Sequence, residues 1–143
     1  MTLVTATLGF VLDVALGAWL GVMAFFSFVG APRAFAVFDD RGGEYVNDVF
    51  PRYYRVGVGL GVVAFLAGLG LGAVTRYDGA TLVVLAATAI ATLTAGYSVG
   101  SLIPKMDAAG EDGFEQYHRQ TVILNGVAML AVVVGLLATH AAG

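Results

Sequence analysis

Four long apolar runs, separated by three polar segments, make up most of the chain. The runs cover residues 3–29, 56–74, 80–103 and 114–139. A helix needs about 20 mostly apolar residues to cross the hydrocarbon core of a bilayer, which is about 30 Å thick. The pattern therefore predicts an all-α membrane protein with four transmembrane helices, in a single domain that occupies residues 1–143.

The first polar segment, residues 33–55, is the longest, and it is not purely polar. Phe35, Val46 and Phe50 are among the apolar positions that alternate with charged ones. Such a mixture is typical of short amphipathic helices that lie at a membrane surface. The pair Gly42-Gly43 predicts a break between them.

Prolines and short polar stretches predict where the other elements end. We expect Pro32 and Pro104 to close the first and third spans, because proline lacks the N–H that would continue a helix. Pro51 is expected at a helix start, where the missing N–H does no harm. Residues 75–79 predict a tight turn, which makes the second and third spans antiparallel neighbours. Residues 105–113 predict a polar connector.

One motif occurs twice, at residues 50–55 and 114–119, and reads Phe-x-x-Tyr-(Tyr or His)-Arg. Each copy follows a proline that ends one apolar run, and each opens the next run. The chain therefore predicts a parallel tandem repeat of helix pairs, related by a pseudo-twofold axis along the membrane normal. Phe50, Tyr53 and Tyr117 are predicted structural anchors, with the two tyrosines in an interfacial aromatic belt.

The basic residues are distributed unevenly between the two sides of the predicted bundle. Cytoplasmic loops carry an excess of Lys and Arg, and six basic residues lie in or beside the first and third connectors, against Arg76 alone in the second. We therefore expect a multi-pass protein of the cell membrane with both termini outside. The six residues are Arg33, Arg41, Arg52, Arg55, Lys105 and Arg119.

Composition narrows the class of protein. Charged residues make up 12% of the chain, whereas about a quarter of the residues in a soluble domain are charged. The absence of cysteine excludes disulfides, thiolate metal sites and iron–sulfur clusters. The net charge of -3 offers no basic surface for nucleic acid. Six of the seven basic residues are arginine, and this acidic, lysine-poor balance favours a high-salt organism such as a halophilic archaeon.

His118, Thr121 and Asn125 are candidate ligand-binding residues of the fourth span. Their spacing of i, i+3 and i+7 places them on one helix face. That face should point into the bundle, because an unpaired polar group is costly in hydrocarbon. In one interpretation the three residues bond neighbouring helices. In the other, His118 is a ligand, metal-binding or proton-carrying group at the cytoplasmic mouth of a pocket, with Asn125 as its floor.

Three further residues are candidates for ligand binding: Tyr54, Arg55 and Arg119. By the repeat, Tyr54 and Arg55 match His118 and Arg119. The two arginines either anchor helix ends at the lipid headgroups or bind a phosphate-bearing lipid or another anionic ligand between them.

Apart from Glu115 at the very start of the fourth span, Asp13 is the only acidic residue inside a predicted span, and carboxylates there are uncommon and often functional. Counted from the start of its apolar run it lies near the bilayer midplane. Counted back from the end of the run it lies near the outer surface. A deep position would permit a proton or cation path from Asp13 towards Asn125 and His118.

Met23 and Met129 could each give a thioether ligand to haem b or to Cu(I) alongside His118, although lone methionines in apolar helices are mostly packing residues. The sequence contains no phosphate-binding loop, nucleophile elbow or zinc-ligand spacing. No catalytic residue is therefore predicted, and the sequence favours a protein that is not an enzyme.

Four stretches resemble the transmembrane protein 205-like family: Leu20–Phe26, Ala31-Pro32-x-x-Phe35, Val49-Phe50-Pro51-x-Tyr53-Tyr54, and Phe114-x-x-Tyr117-His118-Arg119 followed by Asn125. The resemblance covers nearly the whole chain and implies a four-helix membrane domain of unknown function. That family is distantly similar to copper-resistance CopD-like proteins and to haem-dependent porphyrinogen oxidases, which carry several intramembrane histidines. This chain has only His118 and His140, so the resemblance implies a fold rather than an activity.

The leading interpretation is a small, non-enzymatic membrane protein that binds a lipid-like or small amphiphilic ligand, or a protein partner, at the cytoplasmic side of the bundle. Two alternatives stay open. One is a haem- or metal-binding redox protein that uses His118, and the other is a proton or cation conductor that involves Asp13 and Asn125. Expected partners are membrane lipids, a second copy of the chain, or a larger membrane complex with this chain as an accessory subunit.

Overall fold

The computed structural model describes residues 2–141, without the side chains at positions 40 and 111. It contains four long helices, α1 (Leu3–Phe38), α2 (Gly42–Val74), α3 (Gly79–Gly110) and α4 (Asp112–Ala141). Each is long and apolar enough to cross a membrane. Within the described range there is no β-strand. The prediction of an all-α fold with four helices of transmembrane type is therefore confirmed.

The helices form a closed ring in which α1 contacts α2, α2 contacts α3, α3 contacts α4, and α4 contacts α1. The contact between α1 and α4 is the least extensive of the four. The α1–α2 and α3–α4 connections lie at one end of the bundle, which we call the junction end. The α2–α3 turn and both chain ends lie at the other, the terminal end.

The core is built from large side chains on α1 and small residues on its neighbours. Leu12, Leu16, Trp19 and Met23 are each at most 2% exposed. Trp19 packs against Gly57 of α2. A Cβ added at Gly57 would lie only 2.7 Å from the Trp19 Nε1 atom, so a larger residue would not fit there. Small residues let helix backbones approach closely, which is a main source of helix association in lipid.

Pairs of glycines four residues apart on α2, Gly57 with Gly61 and Gly68 with Gly72, therefore have a packing role. A side chain at Gly61 would collide with Trp19 and Thr92, and one at Gly68 would meet Leu85 at 3.1 Å. By contrast, nothing within the described residues lies within 4 Å of an added Cβ in the pairs Gly17/Gly21 and Gly96/Gly100.

The prediction that Pro32 and Pro104 close their helices is wrong. α1 continues to Phe38 and α3 to Gly110, because each proline follows a π-helical segment, Phe26–Gly30 in α1 and Ser98–Leu102 in α3. In each wider turn a backbone N–H bonds to the carbonyl five residues earlier instead of four. These hydrogen bonds run from the Ala31 N–H to the Phe26 carbonyl and from the Ile103 N–H to the Ser98 carbonyl. An interior proline clashes with the carbonyl four residues earlier, and a π-bulge relieves such a conflict locally.

The first connector is helical, as predicted, but its helices are continuous with the spans. The break between them is a single 3₁₀ turn at Asp39–Arg41, just before the predicted Gly42-Gly43 position. Pro51 lies inside α2 and not at a helix start. The connector at residues 105–113 is likewise mostly helix, bent at Gly110 with φ 64°. The location of these segments at a membrane surface stays a prediction.

The predicted tight turn between α2 and α3 is present and is closed by side chains. Asp78 caps α3 by accepting a hydrogen bond from the Thr81 N–H at 2.8 Å, and this bond holds the pKa of the Asp78 carboxyl below its usual value. The Tyr77 hydroxyl donates to the Leu69 carbonyl at 2.9 Å. The turn therefore fixes α2 and α3 as antiparallel neighbours.

Gly42 allows α2 to start directly against the end of α1. A Cβ added there would lie 2.7 Å from the Phe35 Cα and 2.9 Å from the Ala34 carbonyl oxygen. Both atoms belong to the backbone, so neither can move aside without shifting α1.

We predict that Gly42→Ala lowers the free energy of unfolding by about 1 to 3 kcal/mol, the usual cost of overpacking. The matched control is Gly43→Ala, because an added Cβ at Gly43 meets only the Phe35 ring, at 4.0 Å. Unfolding of both variants by a denaturing detergent, followed by circular dichroism, would measure the difference. Equal stabilities would contradict the close approach of α1 and α2.

Candidate functional site

A cavity of about 430 Å³ lies between α1, α2 and α4 in the half of the bundle near the junction end. Cavities of about 300 to 1,000 Å³ with mostly apolar walls are typical of small-molecule sites. The α1 wall includes the π-helical segment and Pro32. The lining residues are Phe26, Ser27, Phe28, Ala31, Pro32, Phe35, Val46, Phe50, Tyr53, Tyr54, His118, Thr121, Val122, Asn125, Gly126 and Met129.

The carboxamide of Asn125 joins the three helices that enclose this cavity. The Tyr53 hydroxyl of α2 donates to Asn125 Oδ1 at 2.6 Å. Asn125 Nδ2 in turn donates to the Ser27 hydroxyl of α1 at 3.0 Å, and it lies 3.8 Å from the Met129 sulfur. Because the amide is satisfied on both sides, the network is a rigid polar floor in an otherwise apolar wall.

His118 is held by aromatic rings and has an unused nitrogen. Its ring lies parallel to that of Phe114, with centroids 5.4 Å apart and planes at 10°, and it also stacks on Phe50 at 6.4 Å and 25°. Its Nδ1 atom is buried and finds no hydrogen-bond partner among the described residues. A buried polar atom without a partner costs free energy, and this nitrogen is free to form one more hydrogen bond.

The cavity opens sideways, between α1 and α4. Phe28 and Val122 line it and are also 71% and 56% exposed on the outside of the bundle. Phe35 behaves in the same way, at 50% exposure. The opening coincides with the least extensive helix contact of the ring. A molecule could therefore enter from the apolar surroundings of the helices without crossing the bundle end.

The structure brings four of the predicted ligand-binding residues together. His118, Thr121, Asn125 and Tyr54 all line the cavity. Thr121 is 1% exposed, and its hydroxyl donates to the His118 carbonyl at 2.7 Å. Tyr54 and His118 are therefore at the same end of the bundle, as the repeat predicts. That these residues bind a ligand stays a prediction.

Arg55 and Arg119 are not part of this site. Both are exposed, and neither is among the described residues that line the cavity. Of the predicted structural residues, Pro32, Phe35, Phe50 and Tyr53 line the cavity, whereas Pro51 and Tyr117 do not. A role for the two arginines at lipid headgroups stays a prediction.

Asp13 lies towards the terminal end, far from Asn125. Its Oδ1 accepts a hydrogen bond from Thr139 at 3.0 Å and lies 3.6 Å from His140 Nε2. Thr139 is about four turns beyond Asn125 on α4, or roughly 20 Å. The intervening interior is mostly apolar, with Leu16 and Val132 both fully buried. The structure places Asp13 beside the end of α4 and does not connect it to Asn125, and the depth of Asp13 in a bilayer stays a prediction.

The donor set does not fit a metal ion held by several side chains, or a haem held by both His118 and Met129. Within the described residues there is no group of three or more His, Cys, Asp or Glu side chains that could hold an ion. Met129 lines the same cavity, but it is three turns from His118 along α4, roughly 16 Å, so the two cannot share one iron or copper ion. Met23 is 1% exposed and packs in the core. We therefore derive no chemistry through such a group.

Two features of the site were missed from the sequence. Ser27 was not singled out, although it is the one hydroxyl in the apolar run around Phe26 and Phe28 and so carried a usable signal. The cavity itself depends on the path of α1 through Pro32, and the expectation that the helix stops there concealed it.

The four helices and their lateral cavity define a small helical protein of membrane type. The chain belongs to a family described as a domain of unknown function, DUF4149, which matches residues 14–112, more than half of its length. The matched region includes Ser27 and Tyr53 but ends before His118 and Asn125. No curated protein and no solved structure matches the chain.

The two histidines provide a direct check of this geometry. The His140 side chain is 69% exposed, whereas His118 is stacked between aromatic rings with one nitrogen buried. We predict that diethyl pyrocarbonate, which acylates imidazoles, modifies His140 several times faster than His118. Peptide mass spectrometry of the labelled protein would measure both rates. Equal rates would show that His118 is not enclosed as described.

Proposed function

We propose that this protein binds a lipid-like or small amphiphilic molecule in the cavity between α1, α2 and α4, and that it is not an enzyme. The observation that carries the proposal is the combination of an apolar cavity of about 430 Å³ with the unpartnered His118 Nδ1 and the Asn125 network on its wall. An amphiphile has the matching chemistry, because its apolar part suits the aromatic wall and its polar atoms suit the imidazole and the Ser27 hydroxyl beside the amide.

The lateral opening supports access from the membrane. Phe28 and Val122 would face lipid in a bilayer, so the ligand would enter along the plane of the membrane and leave its tail between α1 and α4. The junction end carries the excess of arginines, which supports its placement on the cytoplasmic side of a cell membrane, with both termini outside. Within this proposal, the chain is a member of the transmembrane protein 205-like group that its motifs resemble.

Filling the cavity tests the proposal. Gly126 lines the cavity, and a Cβ added there meets nothing within 4 Å among the described residues. We predict that Gly126→Leu leaves the fold intact and removes a small amphiphile that native mass spectrometry detects on wild-type protein extracted in mild detergent.

The matched control is Gly59→Leu, since Gly59 is exposed on α2 and an added Cβ there is equally free of described neighbours. The control should keep the bound molecule. Wild-type protein without any bound amphiphile, or loss of the molecule from both variants alike, would refute a cavity-specific ligand. A bound species with a Soret absorption band that His118→Ala abolishes would refute it in favour of haem.

A further inference from the structure

The cavity wall is polar in places but carries no charge. Among its described side chains there is no Asp, Glu, Lys or Arg. An ionised group is expensive to bury unless an opposite charge compensates it. Phosphate, carboxylate and ammonium groups are therefore poorly suited to this site, and its occupant should be neutral.

The walls favour a flat ring. Phe26 lies against Tyr53 with ring centroids 4.6 Å apart and planes tilted by 31°, and it meets Phe50 edge to face at 5.6 Å. Phe50 also stacks on His118. Aromatic rings in such arrangements attract another ring beyond the effect of buried area alone.

The polar atoms lie at two separate levels of the cavity. His118 and Asn125 are two turns apart on α4, roughly 11 Å. A ligand that reaches both levels therefore needs two polar atoms separated by several ångströms. That separation fits a six-membered ring with oxygen atoms at opposite positions.

We propose that the cavity binds the head of a quinone-type amphiphile, a neutral six-membered ring with two opposed oxygens and an apolar tail that leaves between α1 and α4. His118 Nδ1 binds one oxygen, and the Ser27 hydroxyl beside Asn125 binds the other. A neutral imidazole nitrogen donates or accepts according to its tautomer, and a hydroxyl does both, so the same groups suit the carbonyls of a quinone and the hydroxyls of a hydroquinone. This inference rests on the proposed function, since it specifies the amphiphile.

The single tryptophan of the chain is a built-in reporter. Trp19 is buried and borders a small void that it shares with Tyr53, Tyr54 and Asn125 of the cavity wall. A quinone in the cavity should quench its fluorescence. The probes are decyl-benzoquinone and decylbenzene, which have the same tail. Decylbenzene has no oxygen atoms, and its binding is measured by its ability to displace the quinone.

We expect decyl-benzoquinone to bind the wild-type protein, and decylbenzene to displace it only at more than tenfold higher concentration. His118→Phe keeps the ring stack and removes the nitrogen, so it should weaken quinone binding roughly tenfold, the effect of a lost hydrogen bond. Ser27→Ala tests the second oxygen independently and should weaken binding by a similar factor. The control His140→Phe should change nothing, and Gly126→Leu should abolish binding.

Two outcomes would overturn the quinone proposal, and they differ in whether the proposed function still stands. If decylbenzene competes as well as the quinone does and both His118→Phe and Ser27→Ala bind normally, the cavity takes an apolar chain without recognising a ring, and only the proposed function stands. If decyl-benzoquinone quenches the Trp19 fluorescence of the Gly126→Leu variant as strongly as that of the wild-type protein, the quinone binds elsewhere. Together with a native amphiphile that Gly126→Leu also retains, that result would refute both proposals.

Discussion

The arrangement of three helices depends on one carboxamide. Asn125 of α4 accepts a hydrogen bond from Tyr53 of α2 and donates one to Ser27 of α1. In a hydrocarbon environment no water is present to form hydrogen bonds with these groups, so each must form them within the protein. The network therefore fixes the positions of α1 and α2 relative to α4, and the cavity lies immediately beside it.

A second constraint acts through the prolines and explains why this cavity lies beside α1. The two halves of the chain share the same unit, a π-helical segment followed by proline, but they use it differently. In α3 the segment packs into the bundle, with Ser98 fully buried and Leu102 1% exposed. In α1 the segment has no buried residue, and its Phe26 and Phe28 line the cavity. Large aromatic side chains at these positions cannot pack as closely as the small residues of α3, so the first half leaves a space where the second half fills it.

The number and type of helices could be predicted from the sequence, because hydrocarbon thickness and side-chain hydrophobicity determine them. The position of Tyr54 and His118 at the same end of the bundle could also be predicted, because it follows from the repeated motif. The course of α1 beyond Pro32 could not be predicted, since the cost of an interior proline depends on whether the turn before it can widen. The cavity was hidden for the same reason. The candidate polar face of α4 was found from its spacing, whereas the pairing of that face with Ser27 also depends on the path of α1 beside it.

The coupling between Tyr53 and Asn125 tests the central interaction most directly. A double-mutant cycle of Tyr53→Phe and Asn125→Leu, measured as the free energy of unfolding in mixed micelles, isolates that coupling from the separate effects of each change. The account predicts that the two changes are not additive and that the coupling lies between about 0.6 and about 1.7 kcal/mol, the average and the maximum for hydrogen bonds between membrane helices. Additive effects would mean that Asn125 does not hold α2 against α4, and the basis for the cavity would be lost.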